Sequence, residues 1–370
     1  MRTVCGIGVL LIVILVAVPS GRAFPQATEE SSPWRIGLVT NVGGTISDGG
    51  FSESAHKGAQ RAAEEFGLDY AYSNSRDEFD YTAQLDTMLG EERNIIVTVG
   101  YQMEAVTLDY ALQNPDVYFI GVDQAYSDVE ELPDNLIGLQ FAEDEAAFMV
   151  GALAGKMTKS NTVAVIGGME IPPVIRLAEG FRNGAQYVNP DVDVLIVYTG
   201  SFDDGELGTE TAQDFIDQGA DIIFGAAGST GYAGIQYAAR QGIWVIGVDQ
   251  DEWRTNFREG RFDGSDKVLT SAIKRVDNGV YQAIASIVAG DVIQGVVVLD
   301  TAHCGVGYAP FHETEDAISD DDQLLVELIW RGLAAGILQT GVDTTVPEPL
   351  ASGEMPEIPE DAPVLSDCEG

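Results

Sequence analysis

The sequence predicts an α/β, doubly wound fold built as two lobes of similar topology. Three observations carry that prediction. Apolar strand-like runs alternate with helical patterns. The runs lack a strict polar–apolar alternation. Short motifs recur at a common offset.

The runs are Ile36–Thr40, Ile95–Val99, Val117–Val122, Thr162–Gly167, Val194–Tyr198, Asp221–Gly225, Trp244–Val248 and Val296–Leu299. Most are rich in Val and Ile. A strand covered on both faces of a parallel sheet needs no polar face, so continuous apolar character fits that setting. One helix is expected to start at Phe51, with Ala55, Ala59, Ala62 and Phe66 at helical spacing. Others are expected near 143–158, 173–188, 230–241 and 272–289.

Ile120-Gly-Val-Asp-Gln124 recurs as Ile246-Gly-Val-Asp-Gln250, and Gly58-Ala-Gln60 recurs as Gly184-Ala-Gln186. Both pairs share an offset of 126 residues. Asn94-Ile-Ile and Asp221-Ile-Ile nearly repeat it. The shared offset implies two lobes, one beginning near residue 34 and the other near 162. In parallel α/β sheets ligands sit beyond the carboxyl ends of the strands. Asp123 and Asp249 each follow a strand at equivalent points, so facing lobes would put both carboxylates in one cleft that closes by hinge motion.

The chain has 370 residues, 45% of them hydrophobic, which is enough for two cores of ordinary size. Arg2, the apolar run Val4 to Val18, and the small residues Gly21 and Ala23 read as a signal peptide over residues 1–23. The competing reading is an uncleaved anchor. Cys5 stands at the start of the apolar run rather than after it, so no lipid anchor is expected at that site. The protein is expected to be exported, periplasmic or extracellular. Residues 343–370 are rich in Pro and acidic residues and read as an extended surface tail.

Asp and Glu number 59 against 19 Lys and Arg, for a formal net charge of −40. That balance excludes nucleic acid as a partner, because phosphates need basic surface. It also disfavours an anionic membrane surface. The acidic excess is either an ordinary solubilising surface or an adaptation to high salt, and only five lysines are present. Two cysteines outside the signal and three scattered histidines give no metal-ligand spacing. In an exported chain, Cys304 and Cys368 are instead candidates for a disulfide.

No catalytic constellation emerges. Gly43-Gly-Thr-Ile-Ser-Asp-Gly-Gly50 lacks the lysine of a phosphate loop. Gly228-Ser-Thr-Gly231 is not a nucleophile elbow. His56, His303 and His312 have no Ser or Cys nucleophile at a fixed context. Four segments instead suggest ligand contacts. Asn41 to Glu53 follows the first strand and opens a helix. Its Phe51 either staples the helix to the core or stacks on a flat ligand. Phe202, in a loop after a second-lobe strand, either covers the sheet end or supplies an opposing ring. Ala226-Ala-Gly-Ser-Thr-Gly231 is either a tight turn or a helix start whose N–H groups, from Gly228 onward, bind ligand oxygens. Lys274, expected in the first turns of a helix, either pairs with Asp277 on the surface or neutralises Asp249 and bonds a hydroxylated ligand.

Together these segments resemble the basic membrane protein family, the purine-nucleoside receptor group of ABC transporter substrate-binding proteins. The marks are Val42-Gly-Gly with Asp48 and Phe51, Phe141-Ala-Glu-Asp-Glu-Ala-Ala-Phe148, Gly200-Ser-Phe-Asp203, Ala226-Ala-Gly228, Gly247-Val-Asp249 and Leu269-Thr-Ser-Ala-Ile-Lys-Arg-Val276. They are specific jointly and weak singly, and they span about residues 34 to 312. The resemblance implies a type I periplasmic binding protein fold of two Rossmann-like lobes joined by three crossovers, near 141–144, 249–253 and 290–295. Lobe 1 would be 34–142 plus 252–291, and lobe 2 would be 143–251 plus 292–342. It implies a non-enzymatic monomer without cofactor that delivers a nucleoside to an ABC permease. By the same resemblance, Phe51 and Phe202 would clamp the base, Asn41 and Asp123 would hold its edge, and Asp249 and Lys274 would hold the ribose. Asn41 departs from the Asp usual in the family. Competing readings are a nucleoside-processing enzyme, a sugar or autoinducer binder of the same fold, and a ligand-sensing receptor that signals to a membrane kinase.

The charge balance makes one prediction. If the acidic excess is a salt adaptation, the melting temperature rises from low to molar salt as self-repulsion is screened. A flat or falling melting point would speak for an ordinary solubilising surface.

Overall fold

The computed structural model describes residues 33–351, 354–359 and 361–368. The expected signal peptide, 1–23, lies outside the described residues, as does Cys5. Among the described residues no helix is long and apolar enough to cross a membrane.

The first half of the chain runs β1 (Arg35–Thr40), α1 (Phe51–Phe66), β2 (Asp69–Asn74), α2 (Asp80–Gly90), β3 (Ile95–Val99), α3 (Glu104–Gln113), β4 (Tyr118–Val122) and β5 (Leu136–Phe141). It continues through α4 (Glu143–Met157), β6 (Thr162–Gly167), α5 (Pro172–Val188), β7 (Asp193–Tyr198), α6 (Gly205–Asp217), β8 (Ile222–Ala226), α7 (Gly228–Arg240) and β9 (Trp244–Asp249). The last elements are β10 (Val268–Lys274), α8 (Val276–Ala289), β11 (Gly295–Leu299), β12 (Val306–Tyr308) and α9 (Asp320–Ala334).

Two six-stranded sheets result, ordered β11-β5-β4-β3-β1-β2 and β12-β10-β9-β8-β6-β7. The first is parallel throughout; in the second only β12 runs antiparallel. β3 and β8 are buried along their whole length, as apolar runs covered by helices on both faces must be. The edge strand β2, Asp-Tyr-Ala-Tyr-Ser-Asn, is half exposed. Its mixed composition leaves no apolar run, so it was not among the expected strands. β5 is apolar and buried, and its signal is present in the sequence.

The strand pairing moves two of the expected crossovers. β10 lies parallel to β9 in the second sheet, so the chain stays in the second lobe until Lys274 rather than leaving near 249–253. β11 lies parallel to β5 in the first sheet, so the third crossover falls between Leu299 and Val306, not at 290–295. The first lobe is therefore 34–141 with 276–299, and the second takes 143–274 and the segment from 306. Pairing between strands distant in sequence decided this, and no local pattern reports it. The first crossover lies between Phe141 and Glu143.

The repeat has a packing reason. A methyl added at Gly58 would clash with the Asp277 carbonyl, where α1 crosses α8. One at Gly184 would clash with the Phe148 carbonyl, where α5 crosses α4. Both glycines let two helix backbones approach. The α4–α5 crossing repeats the device at Gly151, Gly155 and Gly180, each against a backbone carbonyl of the other helix. α4 is buried from Ala146 to Ala154 and forms the centre of the second lobe.

The tail from 346 follows the surface of the second lobe. Leu350 donates its N–H to the Tyr187 carbonyl at 2.7 Å, and Arg331 on α9 donates to the Pro359 carbonyl at 2.9 Å. Leu350, Met355 and Leu365 pack against the core. Cys304, in the third crossover, forms a disulfide with Cys368, with the Cα atoms 5.4 Å apart.

The crossing predicts that Gly151→Ala destabilises the protein by about 1–3 kcal/mol through overpacking. This runs against the roughly 1 kcal/mol gain in helix propensity. Urea denaturation measures the balance. A variant as stable as the parent would mean the two helices can move apart at little cost.

Candidate functional site

The strands of each sheet end toward a shared cleft. Its empty space, counting the part open to solvent, is about 830 Å³. From the first lobe come Asn41 after β1, Gly100, Tyr101 and Gln102 after β3, and Asp123 after β4. From the second come Phe202 after β7, Gly228 after β8, Asp249 at the end of β9 and Lys274 at the end of β10. Phe51, the first residue of α1, joins them. The seven residues singled out from the sequence thus line one cavity.

The repeated Ile-Gly-Val-Asp-Gln has a structural meaning here. Asp123 and Asp249 both adopt left-handed backbone, with φ of 61° and 66°. Few residue types other than Gly tolerate this, and Asp is one. The turn ends each strand abruptly. Both side chains line the cleft.

Lys274 closes its strand rather than opening a helix; α8 begins two residues later. Its ammonium does not pair with Asp277, which is held by Arg275. Instead Nζ lies 2.7 Å from both Asp123 carboxylate oxygens and 2.8 Å from Glu143 Oε1. It also stands 4.8 Å from the Phe51 ring centroid and 5.0 Å from that of Phe141. Glu143, in the first turn of α4, receives a second ion pair from Arg176 Nε at 2.6 Å. Asp123 is thereby committed to Lys274 rather than standing free at a ligand edge.

Asp48, at the end of the glycine loop, explains how that loop turns into α1. Its Oδ1 accepts from the N–H groups of Gly50 and Glu53 at 2.8 and 3.1 Å, and Oδ2 from Ser52 at 3.2 Å. These are the N–H groups that a helix start leaves unpaired. The opposing phenyl, Phe202, packs against Gly168, where no side chain would fit beside it. Its carbonyl accepts from Thr230 N–H at 3.3 Å in the first turn of α7.

Burial sets the electrostatics. It pushes the Asp249 carboxyl up to about 7; Lys274 opposes the rise, and Asp123, Asp48 and Glu143 add to it. Asp123 rises to about 6 by burial, against the pull of Lys274. Glu252 rises to about 8 by burial, opposed by hydrogen bonds from Val248 N–H and Asn256. For Lys274, burial favours the neutral amine, but Asp123, Glu143 and Asp249 outweigh it and the pKa rises. The cleft therefore has a charged end around Lys274. The cleft is also lined by the neutral side chains of Asn41, Ser52 and Gln102.

Glu143, Arg176, Glu252 and Gln102 were not expected in the site. Glu143 and Glu252 are 1% and 3% exposed. Glu143 lies within, and Glu252 just after, a segment that carried the resemblance, but in so acidic a chain one buried carboxylate looks like any solvated one. Among the described residues no cluster of His, Cys, Asp and Glu has the arrangement of a metal site.

Residues 36–326 match the family model described as ABC transporter substrate-binding protein PnrA-like. The chain is 31% identical over 340 residues to the CD4+ T-cell-stimulating antigen of Listeria monocytogenes, covering 86% of this chain and 90% of that one. It is 31% identical over 270 residues to basic membrane protein A of Borreliella burgdorferi, covering 72% and 76%. Among solved structures, the ABC transporter solute-binding protein of Aeropyrum pernix superposes with a TM-score of 0.72 at 28% identity. It covers 82% of this chain and 92% of that one.

The raised carboxyls predict a pH dependence of stability. Folded Asp249 holds its proton up to about pH 7, whereas the unfolded carboxyl releases it near the ordinary 3.8. The unfolded state then binds fewer protons through that window, so stability falls as pH rises from about 4 to about 7 and levels off above it. Asp249→Asn should flatten that part of the curve. Parallel denaturation midpoints for parent and variant across the window would contradict the assignment.

Proposed function

The chain belongs to the PnrA-like family of ABC transporter substrate-binding proteins, and from that premise we propose that it captures a nucleoside, preferably a purine nucleoside, and releases it unaltered to an ABC permease. The observation that carries the reading is the make-up of the cleft: one phenyl ring from each lobe, a buried carboxylate–ammonium cluster, and the neutral amides of Asn41 and Gln102. A nucleoside has the matching parts, with a flat base and a hydroxylated sugar.

In this reading Phe51 and Phe202 sandwich the base. Asp249 accepts from ribose hydroxyls and Lys274 donates to them, with Asp123 and Glu143 holding the ammonium in place. The backbone at Gly228 offers N–H groups to a ligand oxygen. Asn41 meets the base edge. Bridging both lobes with one ligand stabilises the closed cleft. A phosphate is disfavoured by the buried carboxylates of Asp123 and Glu143. We further propose that the exported protein acts as a monomer.

Calorimetry with the mature protein tests this. Nucleosides should bind, free bases and nucleotides much more weakly. Asp249→Ala should weaken binding by about tenfold or more, the worth of a charge-assisted hydrogen bond. Lys274→Ala should weaken it at least as much, but it also strands two buried carboxylates and lowers stability, so Asp249 is the cleaner probe. Sugars binding better than nucleosides, or full affinity in Asp249→Ala, would overturn both ligand and site.

A further inference from the structure

The Asn41 amide on the cleft wall is oriented by one hydrogen bond. Asn41 Nδ2 donates to Gln102 Oε1 at 3.2 Å. The Asn41 side chain is wedged against Gly100, where an added Cβ would lie 2.9 Å from it. The residue is only 7% exposed, yet Oδ1 has no hydrogen-bond partner. That oxygen faces Gly44 on the cleft wall, next to the Ser52 hydroxyl, which is also buried without a partner. Gln102 in turn sets its Nε2 3.5 Å from Met169 Sδ, across in the second lobe. An amide has one donor end and one acceptor end. With Nδ2 turned to Gln102, the end that Asn41 turns to Gly44 is its unpartnered acceptor oxygen.

We infer that Gln102 is a positioning residue: it locks Asn41 with its oxygen toward the ligand, so that the site selects bases carrying an N–H donor on the edge that meets Asn41. The inference rests on the nucleoside reading above. Inosine and adenosine carry such a donor. Purine riboside presents only a ring nitrogen acceptor there, which would face the Asn41 oxygen and leave it unpaired.

The test is calorimetry of inosine, adenosine and purine riboside with the parent protein, Gln102→Leu and Gln102→Glu. The parent should bind purine riboside about tenfold or more weakly, the usual cost of an unpaired buried acceptor. In Gln102→Leu the Asn41 amide is free to turn and donate, so the gap should shrink to about threefold or less. Gln102→Glu keeps an acceptor for Nδ2 and should keep the gap. A loss of packing alone would weaken all three ligands alike. Equal binding of inosine and purine riboside by the parent overturns the inference, as does an unchanged gap in Gln102→Leu. If Gln102→Leu does not fold, a gap lost in Gln102→Glu overturns it equally. A parent that binds no nucleoside would instead remove the reading beneath it.

Discussion

The ammonium of Lys274 is the constraint around which the two lobes are arranged. It is 5% exposed and sits between Asp123 of the first lobe and Glu143 at the start of α4. Glu143 is held from its other side by Arg176 on α5. Taking such charges out of water costs several kcal/mol each, and the cost is offset only where the partners are closely placed. The ends of β4 and β10 and the starts of α4 and α5 must therefore meet within hydrogen-bond distance. Lys274 and Glu143 also flank two of the three crossovers. The charged cluster thus lies at the hinge as well as on the cleft wall, and a group placed against Lys274 senses both lobes.

Lobe closure is completed by weaker contacts to the glycine loop before α1. Gln250 Nε2 donates to the Gly50 carbonyl at 2.6 Å, and Thr255 Oγ1 donates to the Gly49 carbonyl at 2.9 Å. Lys57 on α1 donates back to Gln250 Oε1 at 2.7 Å. These bonds use exposed or half-buried groups that water satisfies nearly as well, so each is worth little when the lobes part. The buried pair at Lys274 has no such alternative. A hinge with one firm pivot and an easily exchanged rim suits a cleft that opens and closes on a ligand.

The two Asp-Gln repeats have diverged in use. Gln124 is buried within the first lobe and bonds the Gly100 carbonyl at 3.0 Å, whereas Gln250 reaches across to the other lobe. Asp123 pairs with the Lys274 ammonium at 2.7 Å, and burial raises the carboxyls of both Asp123 and Asp249. One repeated motif thus yields a carboxylate held in an ion pair on one side and a cleft-lining carboxyl on the other.

The sequence by itself determined the α/β class, the two-lobed repeat and the strand ends at which Asn41, Asp123, Phe202, Gly228 and Asp249 stand. Each of these follows from local pattern: apolar runs, glycine at turns, a motif at a fixed offset. It also pointed to Cys304 and Cys368 as a pair, since few cysteines leave few choices. Only the tertiary structure decided that β10 belongs to the second sheet and β11 to the first, which moved two crossovers. It alone decided that Lys274 binds Asp123 and Glu143 instead of Asp277, and that Asn41 Nδ2 donates to Gln102. Strand order and ion pairing depend on which distant segments share a buried volume. Among 59 acidic residues, the sequence carries no mark of which few lose their water.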